Sequence, residues 1–378
     1  MKIIILGAGL VGGPIAADLS KDKDFSITVA DIDKDSLENL KNKYDIKVIK
    51  KDLSYSDSVR ALVKKYDLVV NAVPGFMGFK TVKAVIEAGK DIVDIAFFPE
   101  DPFLLDELAR KNNVTAIVDC GVAPGMSNIF TGFHEAEMDS LSSVIIYVGG
   151  LPEERKLPFE YKAVFSPVDV IEEYIRPARL VEDGKIVIKP ALTEPEYINF
   201  EGVGTLEAFN SDGLRTLATT IKAKNMKEKT LRYPGHIEKI SFLKELGFFN
   251  SDKVNINGTE IAPIDLTTKL LLPEWKFNPG DTDITVMRVI IEGLKDKKKY
   301  RYTYDMFDKY EKKSGIHSMA RTTGYTATMV TRLLSKGLYK KKGISPPEFV
   351  GREPGTIDFI IKGLEERGIK FLKKEEKI

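Results

Sequence analysis

Lys2-Ile3-Ile4-Ile5-Leu6-Gly7-Ala8-Gly9-Leu10-Val11-Gly12 decides how the rest of the chain is read. The apolar run Ile3–Leu6 has the length of one buried strand, and it breaks into glycines too soon to be a signal h-region or a membrane span. G-x-G-x-x-G follows it at once, and an amphipathic stretch over 12–20 follows that. In this strand–turn–helix context each glycine has a task. Gly7 makes the tight turn, Gly9 lets a pyrophosphate approach the backbone, and Gly12 lets the helix pack closely on the strand. The amides at the helix N-terminus then attract the phosphates. The turn therefore predicts a dinucleotide site holding Gly7, Gly9, Leu10, Val11 and Gly12.

Working outward, β-branched runs at 26–30, 46–49, 67–71, 91–95 and 114–118 alternate with helical periodicity at 34–43, 55–65, 77–89 and 101–112. Six strands with five crossovers predict an α/β domain over 1–120, a Rossmann-type doubly wound parallel sheet. Asp33 and Ser54 are expected as N-caps and Gly89 as a helix stop. Asp31 ends the second strand, where a carboxylate accepts from the adenosine ribose hydroxyls and repels a 2′-phosphate. No Arg adjoins it, although Lys34 is near, so NAD is expected rather than NADP. Asp52-Leu53 and Asn71-Ala72-Val73-Pro74 follow the third and fourth strands, at the edge where such sheets bind ligands, and extend the expected cofactor groove.

From residue 121 the texture changes to Pro- and Gly-bearing loops and longer alternating strands such as 143–148 and 284–291. This predicts an α+β substrate and dimerisation domain over 121–330. C-terminal helices over 331–378 follow, with Ile357, Ile360, Ile361 and Leu364 on one face, suited to packing back on the first domain. The run Lys340-Lys341-Lys342 reads as a solvated surface. The chain has 378 residues, 43% hydrophobic and 30% charged, with a formal charge of +1, one cysteine and three histidines. That balance fits a globular protein whose partner is a small molecule. It lacks the basic footprint of a nucleic-acid binder, any apolar run long enough for a membrane, and the His/Cys spacing of a metal site. A cytoplasmic location is expected.

His317-Ser318-Met319-Ala320-Arg321-Thr322-Thr323-Gly324-Tyr325-Thr326-Ala327 resembles a segment of the saccharopine dehydrogenase family. Three further stretches are similar: 121–128 (GVAPGMSN), 149–152 (GGLP) and 230–236 (TLRYPGH). Within the family, Ser166-Pro167, 172–179 (EEYIRPAR) and 246–249 (LGFF) resemble the branch that oxidatively deaminates the side-chain amine of lysine with NAD. Ala123 and Val148 stand where the glutamate-forming members have an aspartate and a cysteine. The resemblance implies an amino-acid dehydrogenase, a homodimer or larger assembly, and a subunit interface to which strand 284–291 is suited.

Oxidising an amine-bearing carbon requires the neutral amine, so a proton acceptor is needed. Asp119, at the end of the sixth strand, and His236, in the TLRYPGH segment, are the candidates. A substrate carboxylate calls for a guanidinium, for which Arg176, Arg215 and Arg232 are placed in family-like stretches. Tyr147, Tyr174 and Tyr233 are candidates to line the pocket. His134 reads as structural, His317 as a helix cap and Cys120 as a small buried residue.

Overall fold

The computed structural model describes residues 1–163 and 167–378, so Ser166 of the Ser166-Pro167 pair lies outside the described residues. The chain divides into two compact units. The first comprises Met1–Glu137 and Ala320–Lys370, the second Met138–Met319 and Phe371–Ile378. The divisions fall at different points from the residues 120 and 330 read from composition.

In the first unit the six strands are β1 (Lys2–Leu6), β2 (Ser26–Asp31), β3 (Lys47–Lys50), β4 (Leu68–Asn71), β5 (Asp91–Asp94) and β6 (Thr115–Ile117). They form a parallel sheet in the order β3-β2-β1-β4-β5-β6, and a seventh strand, Gly343–Ser345, adds beside β6. Ile3, Ile4, Ile5 and Leu6 are fully buried. That is why β1 is a continuous apolar run rather than an alternating one: helices cover both faces of a parallel sheet. The crossovers begin with α1 (Gly12–Leu19), α2 (Lys34–Lys43), α3 (Ser56–Val63) and α4 (Gly75–Glu87). The expected helix at 101–112 is a 3-10 turn, Pro102–Leu105, running into α5 (Asp106–Lys111). Asp33 caps α2 by accepting from the Asp35 amide, and Gly89, at φ +68°, follows the end of α4.

Ser54 does not cap α3. Its amide and hydroxyl both donate to Asp52 Oδ1, at 2.9 and 2.6 Å, and Tyr55 stands at the N-cap position with no side chain capping the helix. The long helix Ser318–Ser335 begins in the second unit and carries most of its length in the first. A Cβ on Gly324 would lie 3.2 Å from Ile15 Cγ1 and 3.4 Å from Val11 Cγ1, so this helix rests against the start of α1. At the other end of α1, buried Asp18 accepts from Thr328 Oγ1 and Arg332 Nη1, both at 2.7 Å, and from Arg367 Nε at 2.8 Å. Burial alone would raise the Asp18 pKa. Arg332 and Arg367 outweigh it and hold the carboxyl below its usual range.

The second unit is built on a nine-stranded sheet. Its main path runs Glu196–Phe200, Gly204–Asn210, Ala223–Arg232, Ser140–Pro152, Asp283–Lys295, Lys298–Lys309 and Phe371–Lys377. Neighbours are antiparallel except Ala223–Arg232 with Ser140–Pro152, which are parallel. The strand expected at a subunit interface, 284–291, is an inner strand hydrogen-bonded on both sides, and Val286, Met287, Val289 and Ile291 are fully buried within the unit. Helices Pro167–Ile175, His236–Glu245 and Pro263–Trp275 contribute to an aromatic-rich core with Tyr174, Phe209 and Trp275. His317 is not the cap of helix Ser318–Ser335. The buried Asp283 carboxylate accepts from the Ser318 and Met319 amides at 2.7 and 3.0 Å, and His317 Nδ1 lies 3.0 Å from the same carboxylate.

Candidate functional site

The glycine loop leaves β1 at the point where the strand order reverses, between β1 and β4, the position at which open α/β sheets bind ligands. Gly7 has φ +108°, and a Cβ there would meet Ala72 O at 2.5 Å. A Cβ on Gly12 would sit 2.1 Å from Gly7 O. Around Gly9, by contrast, a Cβ would meet nothing within 4 Å. Two glycines are thus required by the protein's own packing, while the third keeps open space beside the N-terminus of α1.

Asp31 ends β2 beside this loop. Its Oδ2 accepts from the Ala8 amide at 2.6 Å and its Oδ1 from the Asp33 amide at 2.8 Å. A carboxylate has about four acceptor sites, so two remain for ribose hydroxyls. Asn71 is fully buried at the end of β4 and donates from Nδ2 to Asp94 Oδ1 at 2.6 Å; its own Oδ1 has no hydrogen-bond partner among the described residues. Ala72, Val73 and Pro74 follow at the entry to α4. Asp52 is tied to Ser54, and Leu53 is buried in the sheet's core. Asp119 is buried two residues beyond β6, in left-handed backbone at φ +53°. Next to it, burial followed by the charges of Asp94 and Asp119 drives the Cys120 thiol far up, so it stays protonated and inert.

In the second unit the structure gathers Arg232, Tyr174 and His236 into one buried chain. Arg232 Nε donates to Tyr174 Oη at 3.2 Å, and Tyr174 Oη lies 2.9 Å from His236 Nε2. His236 Nδ1 lies 2.9 Å from Phe159 O. A carbonyl can only accept, so Nδ1 carries the proton, Nε2 is the acceptor, and Tyr174 donates to it. Burial, then the Arg232 charge, lowers the His236 pKa to about 3. Arg232 also donates from Nη2 to Glu173 Oε2 at 2.5 Å and stacks on Tyr161 at 4.4 Å.

The remaining candidates are held separately. Tyr147 Oη donates to Glu196 Oε1 at 3.2 Å, and buried Lys229 is 2.6 Å from the same oxygen. Burial and Glu196 raise the Tyr147 pKa to about 12. Arg176 lies 3.5 Å from Glu172 Oε2, one turn back on its own helix. Arg215 is buried at φ +52°. Tyr233 Oη donates to Pro152 O at 2.9 Å. His134 is buried inside α6 (Met126–Glu137), the helix that follows the Pro-Gly loop.

Sequence reasoning missed Glu173, Tyr161 and Phe159, which complete the Arg232–His236 chain, and Lys229 with Glu196. It also missed Glu228, whose Oε2 accepts from Ser211 Oγ and the Gly213 amide, and whose pKa burial raises to about 8. The doubled charges Glu172-Glu173 and Glu228-Lys229, each beside a family-like motif, were the available signal.

Among known proteins, residues 3–117 match the family model for the saccharopine dehydrogenase NADP binding domain, and residues 121–369 that for the saccharopine dehydrogenase C-terminal domain. The mitochondrial alpha-aminoadipic semialdehyde synthase of Mus musculus is 23% identical over 98% of this chain and 47% of its own length. The chain thus spans about half of that relative. The NADP-linked, L-glutamate-forming saccharopine dehydrogenase of Schizosaccharomyces pombe is 23% identical over 96% of this chain and 97% of its own. Apo saccharopine dehydrogenase (L-Glu forming) from Saccharomyces cerevisiae superposes with a TM-score of 0.81 at 20% identity, covering 99% of both chains, and so shares the fold.

Proposed function

Because the chain belongs to the saccharopine dehydrogenase family, we propose that it is an NAD-dependent L-lysine 6-dehydrogenase, oxidising the carbon that bears the lysine side-chain amine. The product imine hydrolyses to the 6-semialdehyde and ammonia, and the aldehyde cyclises onto the α-amine. The carrying observation is Asp31, whose carboxylate is pinned by two amides at the end of β2, where a 2′-phosphate would be repelled. Gly7, Gly9 and Gly12 would hold NAD against α1 and Asp31 would hold its ribose, and the bound nicotinamide would supply the hydride acceptor. The chain's own residues orient the reactants and handle the proton.

His236 is a poor proton acceptor, because both ring nitrogens are engaged and its pKa is lowered to about 3. The role passes to Asp119, at the carboxyl edge of the first unit's sheet. Arg232 is engaged by Glu173, Tyr174 and the Leu231 carbonyl inside the second unit's core, so the substrate carboxylate is assigned to Arg176 or Arg215. Ala123 and Val148 lack polar groups where glutamate-forming relatives carry them, which favours lysine over saccharopine or carboxynorspermidine-type substrates.

The decisive assay is NADH formation with lysine as the only amine, rising into the alkaline range as the amine loses its proton. Asp31→Arg should swing relative kcat/KM from NAD towards NADP by roughly ten- to 150-fold, for one charged contact of about 1.5–3 kcal/mol. An unchanged cofactor ratio would remove the NAD assignment. Activity with saccharopine but none with lysine would move the substrate.

A further inference from the structure

We propose that the outer flank of the first unit's sheet, beside the strand Gly343–Ser345, is a binding site for a small dianion. A cavity of about 230 Å³ lies there, lined by Arg110, Lys341, Lys342 and Arg352 together with Ser345 and Phe349. The lysines belong to the run that sequence alone reads as plain solvated surface. Among the described residues no acidic side chain lines the cavity. The counter-ions grip each cation from outside the lining: Asp106 at 2.7 Å from Arg110 Nε, Asp91 at 3.2 Å from Lys342, Glu353 at 2.5 Å from Lys341 and Glu135 at 2.5 Å from Arg352. The acids orient the cations, and the cations line a single space.

Asp106 makes this arrangement rigid. It also accepts from the Ile344 amide at 2.8 Å, so the carboxylate that holds Arg110 is itself anchored to the sheet. A Cβ on Gly343 would lie 2.4 Å from Asp106 Oδ1 and 3.1 Å from Arg110 Cζ, so the close approach depends on glycine. The two terminal nitrogens of Arg110 have no hydrogen-bond partner among the described residues. Arg352 is held over the Phe349 ring at 4.8 Å, which gives the cavity one flat apolar wall. Lys341 and Lys342 precede a parallel strand and Asp91 begins β5, so the cations gather towards the amino end of the sheet, opposite the glycine loop.

The volume is below the usual 300–1,000 Å³ or so of small-molecule sites, and although each cation is paired with one carboxylate, the acids lie outside the lining, so the space is bordered by donors that suit a compact ligand with two charged ends. The ligand class is therefore a compact phosphate-type or dicarboxylate dianion. Calorimetric titration with inorganic pyrophosphate and, separately, with succinate at constant ionic strength tests this on the full chain. One saturable site is expected for at least one of the two, and whichever binds names the chemistry. Arg110→Gln should weaken it roughly tenfold. Lys341→Gln, on an exposed side chain that the fold does not need, should weaken it about threefold and serves if the arginine variant fails to fold. Absence of saturable binding by both anions overturns the proposal. So does binding that both variants leave unchanged, because pyrophosphate seated at the glycine loop would behave that way.

Discussion

The glycine loop of the first unit and the Arg232–Tyr174–His236 chain of the second handle polarity in opposite ways. The loop is made of backbone, with two glycines that tolerate no Cβ and one beside open space. The chain is made of side chains drawn from residues 159 to 236, buried and satisfied by one another. Missing atoms make the first site; mutual hydrogen bonds make the second. The loop should therefore respond to what is added to it and the chain to what is removed.

The largest effect expected from this difference is at Arg232. Arg232→Met removes the cation paired with part-buried Glu173 and one donor to the Tyr174 hydroxyl, which keeps His236 as its acceptor, and should cost about 3 kcal/mol of stability, read by denaturant unfolding. A loss under about 1 kcal/mol would mean that the network is not what holds this core.

Next in size is a pH effect. The folded-state pKa of His236 is about 3, below the ordinary value near 6.5, so on acidification the unfolded chain takes up the proton first. Stability from this residue is complete above about pH 6.5 and should fall by about 3 kcal/mol by about pH 4. His236→Gln should flatten that limb. Asp18 adds a lower one, because its depressed carboxyl contributes above its unfolded pKa and is lost only as the pH falls further. An acid limb identical in wild type and His236→Gln would count against a neutral, buried imidazole.

In the loop, Gly12→Ala forces a methyl against the Gly7 carbonyl and should cost about 2–3 kcal/mol. Gly9→Ala, facing open space, should change stability by less than about 0.5 kcal/mol while weakening nucleotide binding. Equal thermal shifts for the two variants would erase the distinction between packing glycine and ligand glycine.

By itself the sequence determined the doubly wound sheet, its six strands and the dinucleotide turn. The reason is local: strand periodicity, glycine backbone freedom and the Asp33 cap all act within a few residues of one another. The same local logic misassigned two caps. Ser54 is turned onto Asp52 before the helix begins, and Asp283 replaced His317 from 34 residues away, because a carboxylate brought in by the fold reaches the Ser318 and Met319 amides. The return of the C-terminal helices to the first unit was readable from their apolar face, but only the tertiary structure set its bounds at Ala320–Lys370, where Arg332 and Arg367 meet Asp18 on α1, and gave Phe371–Lys377 to the second unit's sheet. Only the tertiary structure, too, turned His236 from a candidate base into a neutral acceptor. A side chain's protonation follows from burial and partners, and here those partners are Phe159, Tyr174 and Arg232, residues that no spacing in the sequence joins.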